Sequence, residues 1–294
     1  MLADVLPALR CPHCAGEFEL SGRTLGCAAG HRFDLARQGY VNLVVGRAAT
    51  GDSTGMVAAR DAFLGAGHYA PVAAALADRA VPGLVVDVGG GTGYYLAAVV
   101  EAVGGPGVVV EPSTAALRRA ARAHPRVAAV GADVWRGLPF ATGSVDLVTT
   151  VFAPRGVAEV ARVLRPGGRW TVVTPLADHL EQVREPLGMV GVEERKAERL
   201  HADLTDGDAF EVVAEDELRF TRTLDRESLR ALVLMGPSAH HVDPAALDAR
   251  LDAVLAGRSG GVDVTVGVRL TVAALDNDPP PRRPGGRQAR GPRR

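Results

Sequence analysis

Residues 86–95 read VDVGGGTGYY: an apolar, β-branched run carrying one acid, Asp87, passes directly into Gly89, Gly91 and Gly93 and then into a helical pattern. Glycines let a backbone turn sharply and approach a ligand with no Cβ in between. Outward from this point the chain alternates short Val-rich runs with helical patterns, as βαβ units do. The runs are LVVDVG (84–89), GVVVE (107–111), RVAAVGAD (126–133), VDLVTTVF (145–152) and RWTVVTP (169–175). Helical patterns fall between them at 93–103, 113–123 and 156–164. LRPGGRW (164–170) reads as a helix end, a turn and a new strand. Farther on, ELRFTRTL (217–224) and VDVTVGVRLTVAAL (262–275) alternate apolar with polar residues, with helical patterns at 226–235 and 244–256 between them. That alternation suggests antiparallel edge strands. Five parallel strands and a strand–helix–strand ending predict a seven-stranded Rossmann-like α/β sheet.

Acids at the strand ends say what the glycine turn holds. The turn alone is shared with dinucleotide sites. Asp87 precedes the glycines, where a carboxylate can meet a cationic amino group such as that of methionine. Glu111 ends the next strand, where its two oxygens can accept both ribose hydroxyls. Asp133 ends the third and could accept from an adenine amino group. Together they point to S-adenosylmethionine (SAM), and the fold class is the class I SAM-dependent methyltransferase fold. A hydride-transfer domain would continue with another parallel βα unit.

Ahead of this domain, Cys11-Pro-His-Cys14 and Cys27-Ala-Ala-Gly-His31 form a C-x2-C-x12-C-x3-H pattern holding every cysteine of the chain. Close pairs of this kind suit zinc, because two ligands on one tight turn can meet a tetrahedral ion and a second turn supplies the rest. His13 lies between ligands at the wrong spacing, while Gly26 and Gly30 suit the turns. Four protein ligands leave no open position, so the predicted ion is structural. A segment of about 40 residues lacks the core to fold alone, and the ion would supply the missing stability.

The predicted organisation is a zinc-binding domain over 1–45, a linker and helical segment over 46–82, the SAM domain over 83–275, and a disordered basic tail over 276–294. The 33 Lys and Arg balance 34 Asp and Glu, so any basic surface must be local. Three cysteines, an odd number, argue against a disulfide framework. There is no apolar stretch long enough to span a membrane. MLADVLPALR lacks the build of a secretory signal, so a cytoplasmic location is expected.

These motifs resemble the guanine-N1 methyltransferases of 23S rRNA, some of which confer resistance to tylosin and related macrolides. The resemblance runs to about residue 275 and rests on CPHC with CAAGH, FDLARQGYVNL (33–43), GDSTGMVAAR (51–60), GHYAP (67–71), VDVGGGTG, FAPR (152–155) and TPLADHL (174–180). The Gly after Gly89, FAPR and MGPSAHH (235–241) look closest to the macrolide-resistance subgroup, which modifies a hairpin guanine lining the peptide exit tunnel. The resemblance implies zinc at Cys11, Cys14, Cys27 and His31. It also implies SAM contacts from Tyr69, Gly91, Thr92 and His179, of which Tyr69 and His179 have no independent signal in the spacing.

It further implies 23S rRNA or a ribosomal subunit as partner, and a homodimer is a possible assembly. SAM is already activated, so catalysis is mainly in-line positioning at about 3–3.5 Å. The guanine N1 proton must leave around transfer. A carboxylate or a bound water chain could take it, and the sequence does not identify which; the catalytic candidates are Arg155 of FAPR, which could hold a phosphate or stabilise a deprotonated guanine, and Asp52. Arg10, Arg23, Arg32 and Arg37 of the zinc segment are available to phosphates. The rival readings are a small-molecule SAM methyltransferase braced by its zinc segment, a non-catalytic RNA binder that keeps a degenerate SAM fold, and a zinc-ribbon transcription module, which would explain only the first 45 residues.

Overall fold

The computed structural model describes residues 1–46, 51–189, 191, 204 and 209–275; the stretch 276–294, expected to be disordered, lies outside the described residues. The N-terminal segment supplies β1 (Phe18–Ser21), β2 (Thr24–Cys27), β3 (Arg32–Asp34) and β4 (Val41–Asn42). The central strands are β5 (Val85–Val88), β6 (Gly107–Val110), β7 (Val127–Gly131), β8 (Val145–Val151) and β9 (Leu164–Pro175), followed by β10 (Phe210–Leu224) and β11 (Val262–Leu275). Helices α1 (Leu2–Val5), α2 (Thr54–Gly65), α3 (Ala70–Ala77), α4 (Tyr94–Val103), α5 (Thr114–Ala120), α6 (Val157–Val163) and α7 (Glu181–Arg184) punctuate them, with two more at Arg226–Leu234 and Pro244–Leu255.

β1, β2 and β3 form a small antiparallel sheet, and the main sheet has the order β10-β11-β9-β8-β5-β6-β7-β4. β5 to β9 run parallel, whereas β11 is antiparallel to both β9 and β10. Seven of these strands are the expected ones. The eighth, β4, pairs in parallel with β7 through Val41↔Val130 and Asn42↔Gly131. A two-residue strand leaves no periodicity to read. β5, β6 and β7 are buried at every position, as strands covered on both faces must be.

Two expectations are corrected. LRPGGRW does end a helix, but no turn separates helix from strand: α6 ends at Val163 and Leu164 already opens β9, which reaches Pro175 with a bulge along the way. Val145 pairs with Leu164 but Leu147 with Arg169, so the Pro-Gly-Gly residues bulge out of the ladder and the strand resumes in the same direction. The strand expected at 217–224 begins at Phe210, because β11 offers partners along its whole length and overrides the charged, unpatterned EVVAEDE.

Apolar layers cover both faces of the main sheet. One gathers Phe63, Tyr69, Val72, Leu96, Leu117, Leu229 and Leu247. The other gathers Trp170, Phe140, Val160 and Val163 together with Leu2, Val5, Leu9, Phe18 and Leu25 of the N-terminal segment. Main-chain bonds add to this attachment: Arg10 donates to the Pro139 carbonyl at 2.9 Å and Ala141 to Ala8 at 2.8 Å. The zinc segment is therefore built onto the larger domain.

Candidate active site and metal centre

A cavity of about 720 Å³ opens at the carboxyl ends of β5 to β8. The strand order reverses there between β5 and β8, the place where open α/β sheets bind ligands. Its volume is that of a small-molecule site.

The glycine loop forms one wall. Gly89, Gly91 and Gly93 all have positive φ, at 70°, 54° and 81°. Gly90 is required for another reason: a Cβ there would lie 2.6 Å from Asp87 Oδ2. The loop thus closes directly over Asp87, which has no exposed surface. Thr149 Oγ1 donates to Asp87 Oδ1 at 2.7 Å, and Oδ2 has no partner. Burial, with the Glu111 charge adding to it and the Thr149 bond opposing, pushes this carboxyl up to about 7. An unpartnered buried carboxylate oxygen suits a cationic group, and Asp87 is among the residues that line the cavity.

Glu111 is nearly as buried. Its Oε2 accepts from the Gly91 N–H at 3.2 Å and its Oε1 from Ser113 at 2.9 Å, so the carboxylate is held rigidly. Each oxygen keeps a lone pair for a ribose hydroxyl. Burial raises this group too, against those two backbone bonds. Asp133 lies at the third strand end, with Oδ1 accepting from Trp135 N–H at 3.0 Å and Oδ2 3.8 Å from Arg136. Thr92 is buried in the same wall.

Tyr69 and His179, 110 positions apart, meet: Tyr69 Oη lies 3.2 Å from His179 Nε2. Both are buried and line the cavity. Desolvation lowers His179 to about 4, so its ring is neutral at pH 7, and its Nδ1 has no partner. Phe152 completes an aromatic trio, with ring centroids 6.1 Å from Tyr69 and 5.8 Å from His179. Its φ is 53°, a conformation that costs a bulky residue on the order of 1–3 kcal/mol. Leu180, also on the cavity wall, has φ 58°. Two of the three non-glycine residues with positive φ among those described therefore border this one cavity.

Of the two catalytic candidates, Asp52 lines the cavity and Arg155 does not, although its neighbour Pro154 does. Asp52 is ion-paired to Arg60, and its carbonyl accepts from Ser113 Oγ at 2.8 Å, which sets it beside Glu111. Arg60 also donates to the Met235 carbonyl at 2.6 Å, fastening α2 to the segment after the helix Arg226–Leu234. The sequence reading missed Arg60, Phe152 and Trp135, all of which line the cavity. An Arg eight residues after an Asp on a helical pattern was the available signal for the first, and FAPR for the second.

The metal ligands converge. The ligand atoms of Cys11, Cys14, Cys27 and His31 all lie within 4.8 Å of one another. Cys14 Sγ is 3.6 Å from Cys27 Sγ, and His31 Nδ1 is 3.5 Å from Cys11 Sγ and 3.3 Å from Cys27 Sγ. A tetrahedral ion with ligands at about 2.0–2.3 Å has edges close to these lengths, so the quartet fits zinc. Burial raises the Cys11 thiol; at Cys27 burial is outweighed by bonds from His31 and Cys14, which bring it to about 6. Gly30 turns the second knuckle at φ 85°. Gly26 does not: it is extended in β2, opposite Glu19 and Arg32. His13 points away from ligation and stacks on His31 and Phe33, at 4.8 and 5.9 Å.

Comparison with known proteins supplies the context. Residues 9–45 match the zinc-ribbon family described as RlmA, N-terminal, and residues 85–168 match a methyltransferase domain. The 23S rRNA (guanine(748)-N(1))-methyltransferase of Streptomyces fradiae is 46% identical, over 92% of this chain and 98% of that protein. A Micromonospora griseorubida protein described as a 23S rRNA (guanine-N(1)-)-methyltransferase is 45% identical, over 92% and 98%. Among solved structures, a Bacillus halodurans protein described as a methyltransferase superposes with a TM-score of 0.50 at 19% identity, covering 69% of this chain and 97% of its own, which speaks to the fold alone.

Proposed function

Since the chain belongs to the 23S rRNA guanine-N1 methyltransferases, we propose that it transfers a methyl group from SAM to N1 of a guanine in a 23S rRNA hairpin loop of the peptide exit tunnel. The target we infer is the position numbered 748 in the name of the Streptomyces fradiae relative; the resemblance of FAPR and MGPSAHH to the macrolide-resistance subgroup supports resistance to macrolides of the tylosin type as the outcome. One observation carries the RNA reading over a small-molecule one. The zinc ribbon's β4 is hydrogen-bonded to Val130 and Gly131, two residues before Asp133 of the cavity wall. A ribbon that only braced the fold would not have to stand beside the ligand site.

SAM supplies an electrophilic methyl on a sulfonium, and zinc supplies structure at Cys11, Cys14, Cys27 and His31. The protein's remaining task is to hold the reactants in line and exclude water. Glu111 takes the ribose hydroxyls, Asp133 the adenine amino group, and Asp87, with Gly89, Gly91, Thr92 and Gly93 above it, the methionine end. Tyr69 and His179 close the wall between them. Asp52 sits on the ribose side with Glu111 and Ser113, which makes it part of the cofactor's wall and leaves Arg155 facing the RNA.

In the ribbon, Arg10 and Arg23 are spent on local carbonyls, those of Pro7 and Leu9 and of Leu35 and Ala36. Arg32 and Arg37 are exposed and are the better phosphate contacts. We assign the ribbon to 1–45, a connecting helical segment to 46–82, the SAM domain to 83–275 and a basic tail to 276–294. No helix among the described residues is long and apolar enough to cross a membrane, consistent with a cytoplasmic enzyme. A homodimer would present two ribbons to one RNA; a monomer in sedimentation would remove that idea.

The deciding experiment transfers labelled methyl from SAM to 23S rRNA transcript and to 50S particles, then maps reverse-transcription stops. Methylation at N1 blocks Watson–Crick pairing, so one enzyme-dependent stop at a hairpin guanine is expected. Robust SAM binding without a stop on either substrate would transfer the reading to a small-molecule acceptor.

A further inference from the structure

Aromatic residues make up only 4% of this chain, and nearly all of those described are at least partly buried. Among the described residues the exposed large apolar side chains are Met1, Trp135, Phe152 and Val213. The two aromatic ones both line the same cavity. Trp135 stands on the Asp133 side, two residues beyond the third strand end. Phe152 stands at the other side, where β8 gives way to FAPR.

The placement of Phe152 is built. Its N–H is fixed to the Val173 carbonyl at 3.1 Å, so the backbone is still tied to β9 when it turns into the left-handed region at φ 53°. That turn lays Ala153 against the glycine loop: a Cβ on Gly89 would come within 2.5 Å of the Ala153 Cβ. It leaves the Phe152 ring 38% exposed. Its neighbours Tyr69 and His179 are 3% and 8% exposed and are tied to each other. Of the trio, only Phe152 has a surface to offer a large planar partner.

We propose that Phe152 is the stacking platform for the target guanine, holding the base beside the glycine loop after it leaves the RNA stack. This rests on the RNA-methylating function above. A base that undergoes chemistry must be drawn out of its stack, and unstacked bases are held on aromatic faces. Stacking tolerates any base, so Phe152 supplies position and not guanine recognition. At φ 53° glycine would sit at ease, so the phenylalanine ring is carried there at a backbone cost.

The test compares Phe152→Leu, which keeps an apolar side chain and removes the π face, with Phe152→Tyr, which restores it. Phe152→Gly suits the left-handed backbone and serves as a folding control. Hairpin RNAs carry either guanine or an abasic residue at the methylated position. For Leu, kcat/KM on the guanine hairpin is expected to fall roughly 5- to 150-fold, the effect of losing one base–aromatic stack. Tyr should recover most of it, Gly should fold and be at least as impaired as Leu, and the Kd for SAM should stay within about twofold throughout. Wild type should bind the guanine hairpin more tightly than the abasic one, and Leu should lose that preference. Leu with wild-type kinetics, or a SAM Kd that weakens in step with the rate, would overturn the assignment. Wild-type protein that methylates neither RNA nor particle would instead remove the function on which it rests.

Discussion

Asp87 offers a sharp test of the site, because its environment makes stability depend on pH in a definite direction. The folded carboxyl titrates at about 7 and the unfolded one at 3.8. Between those values the folded chain keeps a proton that the unfolded chain releases, so stability falls as pH rises through the window and levels off above about 7. Between pH 5 and 8 the loss amounts to ~2–3 kcal/mol. For a chain of 294 residues that is roughly 3–5 °C in Tm. Other groups confuse the raw curve. His179, lowered to about 4, acts in the opposite sense and loses its contribution as pH falls. The comparison with Asp87→Asn cancels them. Asparagine keeps an acceptor for Thr149 and cannot ionise, at a pH-independent cost for the amide left where Oδ2 has no partner. In thermal melts without SAM, the variant's Tm relative to wild type should therefore climb by roughly 3–5 °C from pH 5 to 8. A difference that stays flat or shrinks would refute the claim that Asp87 is buried without a counter-charge. Repeating the melts with saturating SAM tests its role: an ammonium near Oδ2 restores ionisation and flattens the wild-type curve, and an unchanged slope would place the ammonium elsewhere.

Metal analysis should find one zinc per chain, and chelation should lower Tm and abolish rRNA methylation while SAM still binds; full activity in metal-free protein would contradict a structural ion. Tyr69→Phe removes the buried bond to His179 at a cost of about 1–2 kcal/mol in denaturant unfolding; no loss of stability would mean that the 3.2 Å contact contributes nothing. Arg60→Met unfastens Asp52 and the Met235 carbonyl, so SAM affinity should weaken several-fold in calorimetry at unchanged kcat; the reverse pattern would place Arg60 on the RNA side. Gly131→Ala would bring a Cβ within 2.5 Å of Asn42 Oδ1 and 3.1 Å of its Cα. Loosening β4 in this way should raise the KM for RNA and spare SAM binding, and equal losses in both would argue against the ribbon as an RNA arm.

What the sequence shows of this molecule follows how local each cause is. The central strands were legible because burial on both faces demands β-branched runs, and β5 to β8 lie within one or two residues of where those runs stand. The zinc quartet was legible because each pair belongs to one turn. Features that depend on distant partners were not. β4 exists because an edge 89 positions later accepts it, Val41 opposite Val130. Arg60 becomes part of the cavity through a carbonyl 175 positions away. Tyr69 and His179 were named through resemblance, since nothing near either residue announces the other. Asp87 was identified as a strand-end acid, but whether such an acid faces the ligand or lies beneath the loop depends on the path of the chain at Gly90, which no residue count supplies.

The same distinction explains how a structural metal can matter to chemistry at another site. An open sheet edge invites unwanted pairing, and here the outer edge of β7 is covered by the strand that leaves the zinc ribbon. The ribbon's own core is small: Phe18 and Leu25 are buried only by joining the layer under Phe140 and Trp170. Ion, ribbon and sheet edge therefore stand or fall together. The Asn42–Gly131 pair is followed within two residues by Asp133, so the ribbon stands beside the cavity while the wall at that point is built from the residues after β7. Loss of the ion is therefore expected to unseat the ribbon first and to leave the glycine loop, Glu111 and the rest of the SAM wall in place, which is the split between RNA and SAM binding that the chelation and Gly131→Ala measurements read.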